Sequence, residues 1–206
     1  MSLTYVKGDA TKPVVFDTKN VGEVHVYGPH CCNDAGGWGS GYVVALTNRF
    51  GPSPSGIYKL WHSGANSATI NAKLKDRNDP TDAKLVTQTR FVLGGSQILQ
   101  LPNNYFLVNM IGQHNYNPAG EVTKLVNGEA ERELIRPPVR YGAMAKAMSG
   151  LSDFILADME SGNQCEIHCP KFGSDLAGGD WKVIEALILE LWVDKGIPVV
   201  VYEWEK

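Results

Sequence analysis

The sequence has no apolar run near the ~18 residues that span a bilayer, so no membrane partner is expected. It has no basic surplus. Nineteen Lys and Arg stand against 22 Asp and Glu, giving a net charge of −3, so direct nucleic-acid binding is not expected. Residues Met1 to Asp9 lack a basic patch followed by an apolar stretch, and no secretory signal is expected. Four cysteines in 206 residues do not form a disulfide framework, which fits a reducing, cytoplasmic compartment. Internal repeats, low-complexity tracts and an evident linker are also missing. The length therefore fits one domain over residues 1–206.

What is present is a sizeable apolar fraction, 43%, and an excess of glycine, 22 residues. Short β-like runs alternate with helical ones. Thr4 to Val6, Val14 to Phe16 and the alternating Glu23 to Tyr27 read as strands, and a helix is expected through Tyr42, Val43 and Leu46, ending near Gly51-Pro52. Gln97 to Leu101 and Tyr105 to Ile111 read as a hairpin about Pro102, Asn103 and Asn104, the second run apolar enough for a central strand. Met144, Ala147, Met148, Leu151, Phe154 and Ile155 share one helical face, with Gly162 as a stop. Gln164 to His168 reads as a strand, Trp181 to Val193 as a helix capped by Asp180, and Pro198 to Tyr202 as a buried strand. The class is α/β, a mixed sheet covered on both faces. Two polar stretches, 63–90 and 113–138, show no clear period and read as loop insertions.

Two glycine-rich loops each follow a strand and open a helix: His30 to Gly41, and Gly173 to Asp180. Such loops bring backbone N–H groups and a helix N-terminus to an anion. Two of them at one sheet edge make a crevice for a phosphorylated ligand. Familiar phosphate motifs are excluded by spacing. There is no G-x-x-x-x-G-K-[ST], and Gly37-x-Gly39-x-Gly41 is not G-x-G-x-x-G. Ser40 is flanked by Trp38 and Tyr42, not the glycines of a nucleophile elbow. Neither Cys32 nor Cys169 has an arginine six residues later, as a cysteine-phosphatase loop would require.

Gly8-Asp9-Ala10-Thr11, Asn33 with the glycine run after it, Gly173 to Gly179 before a helix, and the closing Val199-Val200-Val201-Tyr202 together resemble the macro domain family. His30-x-Cys32-Asn33 and Gly36-x-Trp38-Gly39-x-Gly41 most resemble its stand-alone ADP-ribose-1″-phosphate phosphatase branch. The resemblance implies a three-layer α/β/α fold with a mixed central sheet, and an ADP-ribose derivative as small-molecule partner. No motif in the sequence requires a metal or an organic cofactor. Asp9, beside Ala10, would accept a hydrogen bond from the adenine amino group. Gly173, Ser174, Asp175, Leu176, Ala177, Gly178 and Gly179 would hold the diphosphate. Gly37, Trp38, Gly39, Ser40 and Gly41 would line the distal end, with Trp38 stacking on ligand or packing the loop. His30, Asn33 and Asp34 are the expected catalytic residues: an acid or phosphate-orienting group, a ribose-binding amide and a water-activating base. A reader without catalysis, or a hydrolase of another ADP-ribosyl or O-acetyl-ADP-ribose bond, uses the same loops. Gln100 stands where relatives with a lysine nucleophile would carry it, and Ala177 falls near their loop aspartate, so a covalent lysine route is not implied.

Cys31, Cys32, Cys165, His168 and Cys169 could also be read as soft-metal ligands. Alternation along a strand separates Cys165 from His168, and adjacent cysteines make a poor bidentate ligand. Buried free thiols are the expected state.

Overall fold

The computed structural model describes residues 3–14, 24–76, 82–116, 120–135 and 138–204. Among these residues nine strands and five α-helices follow in chain order. They are β1 (Leu3–Lys7), β2 (Val24–Asn33), α1 (Tyr42–Phe50), α2 (Ser53–His62), α3 (Ser67–Asp76), β3 (Lys84–Gln88), β4 (Ser96–Leu101) and β5 (Tyr105–Gln113). After them come β6 (Gly120–Val126), β7 (Glu129–Ile135), α4 (Tyr141–Glu160), β8 (Gln164–Pro170), α5 (Trp181–Ile188) and β9 (Val199–Glu203). Seven strands form one mixed sheet in the order β1-β9-β8-β2-β5-β4-β3, and β6 with β7 forms a separate hairpin.

Alternation along the strands makes two cores. Tyr105, Leu107 and Ile111 of β5 face Leu46, Ile57, Tyr58, Trp61 and Ile70 from α1, α2 and α3. Phe106, Val108 and Met110 face Met144, Met148, Leu151 and Ile155 of α4 and Ile184 and Ile188 of α5. Strand β5 is therefore buried on both faces, as its continuous apolar run predicts. The result is the expected α/β/α arrangement about a mixed sheet.

Strands β1, β9, β8, β2 and β5 run parallel, and β4 runs antiparallel to β5. Their C-terminal ends therefore share one edge. The β2–β8 ladder stops at Tyr27 and Ile167, after which β2 continues only against β5, and β8 only against β9. The chain leaving β2 passes to helices on one face and the chain leaving β8 to α5 on the other. This divergence opens a crevice at the carboxyl edge.

Several sequence expectations are extended or corrected. Strand β2 runs on through Gly28 and Pro29 to Asn33, not ending at Tyr27. Pro29 sits where β8 no longer pairs, so its missing N–H breaks no β8 ladder bond. The stretch 63–90 is not irregular: α3 and β3 occupy much of it. Likewise 113–138 carries β6 and β7, joined at Asn127 and Gly128, both at positive φ. The expected helix Trp181 to Val193 is α-helical to Ile188 and then makes a π-helical turn, Leu189–Val193, that buries Trp192. Of the apolar run Val14 to Phe16, Val14 is exposed, and residues 15 and 16 lie outside the described residues. Among the described residues no helix is long and apolar enough to cross a membrane.

Candidate functional site

The first glycine loop leaves β2 and is closed by its own asparagine. Asn33 Oδ1 accepts from the amides of Ala35 (3.1 Å) and Gly37 (2.9 Å), and Nδ2 donates to the Gly37 carbonyl (2.9 Å). The Tyr58 hydroxyl donates to the Asn33 carbonyl. Beyond this ring, the amides of Trp38, Gly39, Ser40 and Gly41 have no acceptor among the described residues. Gly41, at φ 72°, caps α1 with no side-chain hydrogen bond, so the helix N-terminus is open as well. Trp38 packs the loop: its Nε1 donates to Thr47 Oγ1 (3.1 Å), and its ring lies against His30 and Tyr58.

The second loop leaves β8. Gly179 N donates to Gly173 O (2.9 Å) and Gly178 N to Asp175 O (2.8 Å), while the Ala177 carbonyl accepts from Val139 N (3.1 Å). The amides of Ser174, Asp175, Leu176 and Ala177 have no acceptor among the described residues. Asp180 is turned to its helix, accepting from Lys182 N (2.9 Å), as a capping aspartate should. Its own amide donates to Tyr141 Oη (2.7 Å). The exposed Leu176 reaches across the crevice. A Cβ on Gly41 would lie 3.4 Å from Leu176 Cδ1. The structure thus brings the two loops face to face, with open amides on both sides.

Asp9 follows β1 at the same edge. Its Oδ1 accepts from Thr11 N (2.9 Å) and Thr11 Oγ1 (2.8 Å), while among the described residues Oδ2 meets only Lys12 Nζ, at 4.0 Å. One carboxylate oxygen therefore remains for a ligand donor. Ala10 is buried against Val200 and Tyr202 and supports the turn.

The expected acid and base are placed differently from the sequence reading. His30 is 2% exposed, inside β2, not at a strand end facing the crevice. Its Nε2 pairs with Asn109 Oδ1 (2.7 Å). Burial pushes the ring's pKa down to about 4, and the Asn109 bond opposes this only in part. The ring packs against Trp38 and Tyr42, and its burial disfavours the imidazolium form that an acid role would need. Asp34 is also engaged at both oxygens, by Asn115 N (2.7 Å) and His114 Nδ1 (2.8 Å). Burial alone would raise its pKa, but the Asn115 amide and the His114 ring outweigh that and hold it below the usual range. A carboxylate so held is a weak base, and its visible work is to tie the loop to the end of β5.

The sequence reading missed His114, Asn115 and Tyr116. Tyr116 is exposed, and its Cδ1 would lie 3.2 Å from a Cβ on Gly37, so it borders the first loop. The available signal for a turn there was Asn115 itself, a residue type that tolerates the positive φ it takes in the structure. All four cysteines are free, as expected. Burial raises the Cys31 thiol to about 12 and the Cys32 and Cys169 thiols as well, which keeps them protonated.

No protein-family profile matches the sequence. The chain is similar to a macrodomain protein from Streptomyces coelicolor, at 32% identity over 98% of this chain and 99% of that one, with a TM-score of 0.63. It is also similar to a protein of unknown function from Bacteroides thetaiotaomicron (29% identity, 98% of both chains, TM-score 0.68). The macrodomain of Mycobacterium tuberculosis DarG shares the fold at 13% identity, covering 98% of this chain and 97% of that one, with a TM-score of 0.58. With the crevice between two glycine loops and a macrodomain relative matched end to end, the chain belongs to the macro domain family.

Proposed function

We propose that the crevice binds ADP-ribose or a close derivative. The observation that carries this reading is the pair of facing loops whose amides, 38–41 and 174–177, have no internal acceptor. The protein is net acidic, so an anionic diphosphate needs such local donors and not bulk charge. Asp9 then receives the adenine amino group at Oδ2, the second loop holds the diphosphate, and residues 37–41 take the distal end.

Hydrolysis of the ADP-ribose 1″-phosphate is the second reading. It is favoured by the branch resemblance around His30 and Asn33 and by the open N-terminus of α1, which suits a terminal phosphate. In that reaction the loop amides orient the phosphate, Asn33 shapes the loop beside the distal ribose, and His30 and Asp34, each held by protein partners, act as positioning groups.

Calorimetry with ADP-ribose tests the first reading. Wild type should bind one equivalent, and Asp9→Ala should weaken binding by roughly tenfold, the loss of one charge-assisted hydrogen bond. Absence of binding at millimolar ligand would return both loops to being turns. Phosphate release from ADP-ribose-1″-phosphate then separates the phosphatase from a reader or a hydrolase of another ADP-ribose bond.

A further inference from the structure

At the edge of the sheet opposite the crevice, three side chains of different chemistry converge. His25 and Cys165 are register partners at the starts of β2 and β8, so both project from rigid strands to one face. Asp158 reaches them from the last turn of α4. His25 Nδ1 lies 2.6 Å from Asp158 Oδ2 and Cys165 Sγ 3.2 Å from it, and all three ligand atoms fall within 4.8 Å of one another. Tyr27 Oη also donates to that same oxygen, at 2.7 Å. One carboxylate oxygen thus faces three donors with about two in-plane lone pairs. The other oxygen, Oδ1, is fixed by Asn163 Nδ2 at 2.8 Å.

A borderline-soft divalent cation resolves that crowding. We propose that His25 Nδ1, Asp158 Oδ2 and Cys165 Sγ form a site for Zn²⁺ or a similar cation, with water in a fourth position. The donor set N, O and S is one that zinc takes, and three protein ligands leave that position open. Around zinc the ligand atoms sit about 3.3–3.8 Å apart, so the His25–Asp158 pair must open by less than ~1 Å. On binding, the thiol proton leaves to solvent and the imidazole proton passes through solvent from Nδ1, where it faces Asp158, to Nε2, which frees the Nδ1 lone pair. A thiolate and a carboxylate then balance the two positive charges, so the occupied site is neutral. His25 and Asp158 side chains are 19% and 17% exposed, which gives an entry path while Cys165 lies beneath. Tyr27 and Asn163 hold the carboxylate from outside the ligand set. The cation would staple the end of α4 to the starts of β2 and β8.

The test uses the full chain, stripped with chelator and titrated with Zn²⁺ against a chromophoric competitor, and with Co²⁺ as a spectroscopic probe. One equivalent should bind, Co²⁺ should show thiolate charge-transfer absorption, and the melting temperature should rise with metal. Cys165→Ser and His25→Gln should each weaken binding by on the order of 100-fold or more, and Tyr27→Phe by about tenfold. Cys31→Ser should bind as wild type. Melting without metal reports whether each variant folds. A wild-type Co²⁺ spectrum without thiolate absorption, or affinity that survives both His25→Gln and Cys165→Ser, would overturn the site.

Discussion

Asn109 decides which nitrogen of His30 carries the proton. Gln88 Nε2 donates to the Ala65 carbonyl (2.9 Å), so its Oε1 accepts from Gln97 Nε2 (2.9 Å). Gln97 Oε1 then accepts from Asn109 Nδ2 (3.0 Å), which leaves Asn109 Oδ1 to accept from His30 Nε2–H. The four residues form a ladder across β2, β5, β4 and β3 on one face, each paired in register with the next. The sequence marks none of this, because a polar residue in an apolar run carries no sign of its cross-strand partner. His30 was legible as important from the motif around it, but its burial follows from β2 continuing past Tyr27.

The ladder has a pH consequence. The buried ring resists protonation until about pH 4, whereas in the unfolded chain it titrates near 6.5. Stability tied to His30 is therefore complete above pH 6.5 and is lost as pH falls toward 4, since the unfolded state takes up the proton first. Urea unfolding at pH 7 and pH 5 should differ by about 2 kcal/mol from this residue. In His30→Gln, which keeps a donor to Asn109, that part of the difference should vanish. Equal pH sensitivity in the two proteins would place the proton uptake elsewhere.

At the scale of elements, the glycines of the two loops do unlike work. Gly179 has no room for a Cβ, which would fall against the Gly173 carbonyl oxygen, and the bond between these residues closes the second loop. Gly39 has nothing within 4 Å of a Cβ and lies open to the crevice. Gly179→Ala should therefore lower stability by about 2 kcal/mol or more and abolish ligand binding. Gly39→Ala should stay within about 0.5 kcal/mol of wild type, so any affinity it loses reports contact with ligand. Thermal melts paired with calorimetry distinguish the two; equal destabilisation would refute the assignment.

Elements with a strong apolar pattern were legible: α4 by the spacing of its one face, and the β4–β5 hairpin by the continuous run of β5 and by its turn, where Asn103 and Asn104 both take positive φ. Helix α2 was not, because Pro52 and Pro54 punctuate its start, although proline is tolerated in a first turn. The hairpin of β6 and β7 was missed for a different reason. Its strands alternate charges without an apolar face, leaving Asn127-Gly128 as the one strong signal.

For the whole molecule, the crevice is a property of topology. It lies where β2 and β8 part and their connections turn to opposite faces, which no single motif encodes. The two loops were legible from glycine content, but their meeting through Leu176 and Gly41 depends on β8 lying beside β2 in the sheet order. The hairpin stands outside this plan. It forms its own sheet, and its base is closed by the Gln113–Val139 bridge and by His114 N donating to the Pro138 carbonyl (2.7 Å). Replacing residues 117–137 by a turn of a few residues should therefore preserve the seven-stranded sheet, since the bridge already holds the ends together and a shorter loop closes at lower entropic cost. The shortened chain should melt cooperatively within about 4 °C of the original, the shift that ~1 kcal/mol produces in a domain of this size. Its ADP-ribose affinity should be unchanged, because the proposed donors lie in 38–41 and 174–177. A folded but non-binding chain would instead make the hairpin a wall of the crevice, and an unfolded one would make it part of the sheet's support.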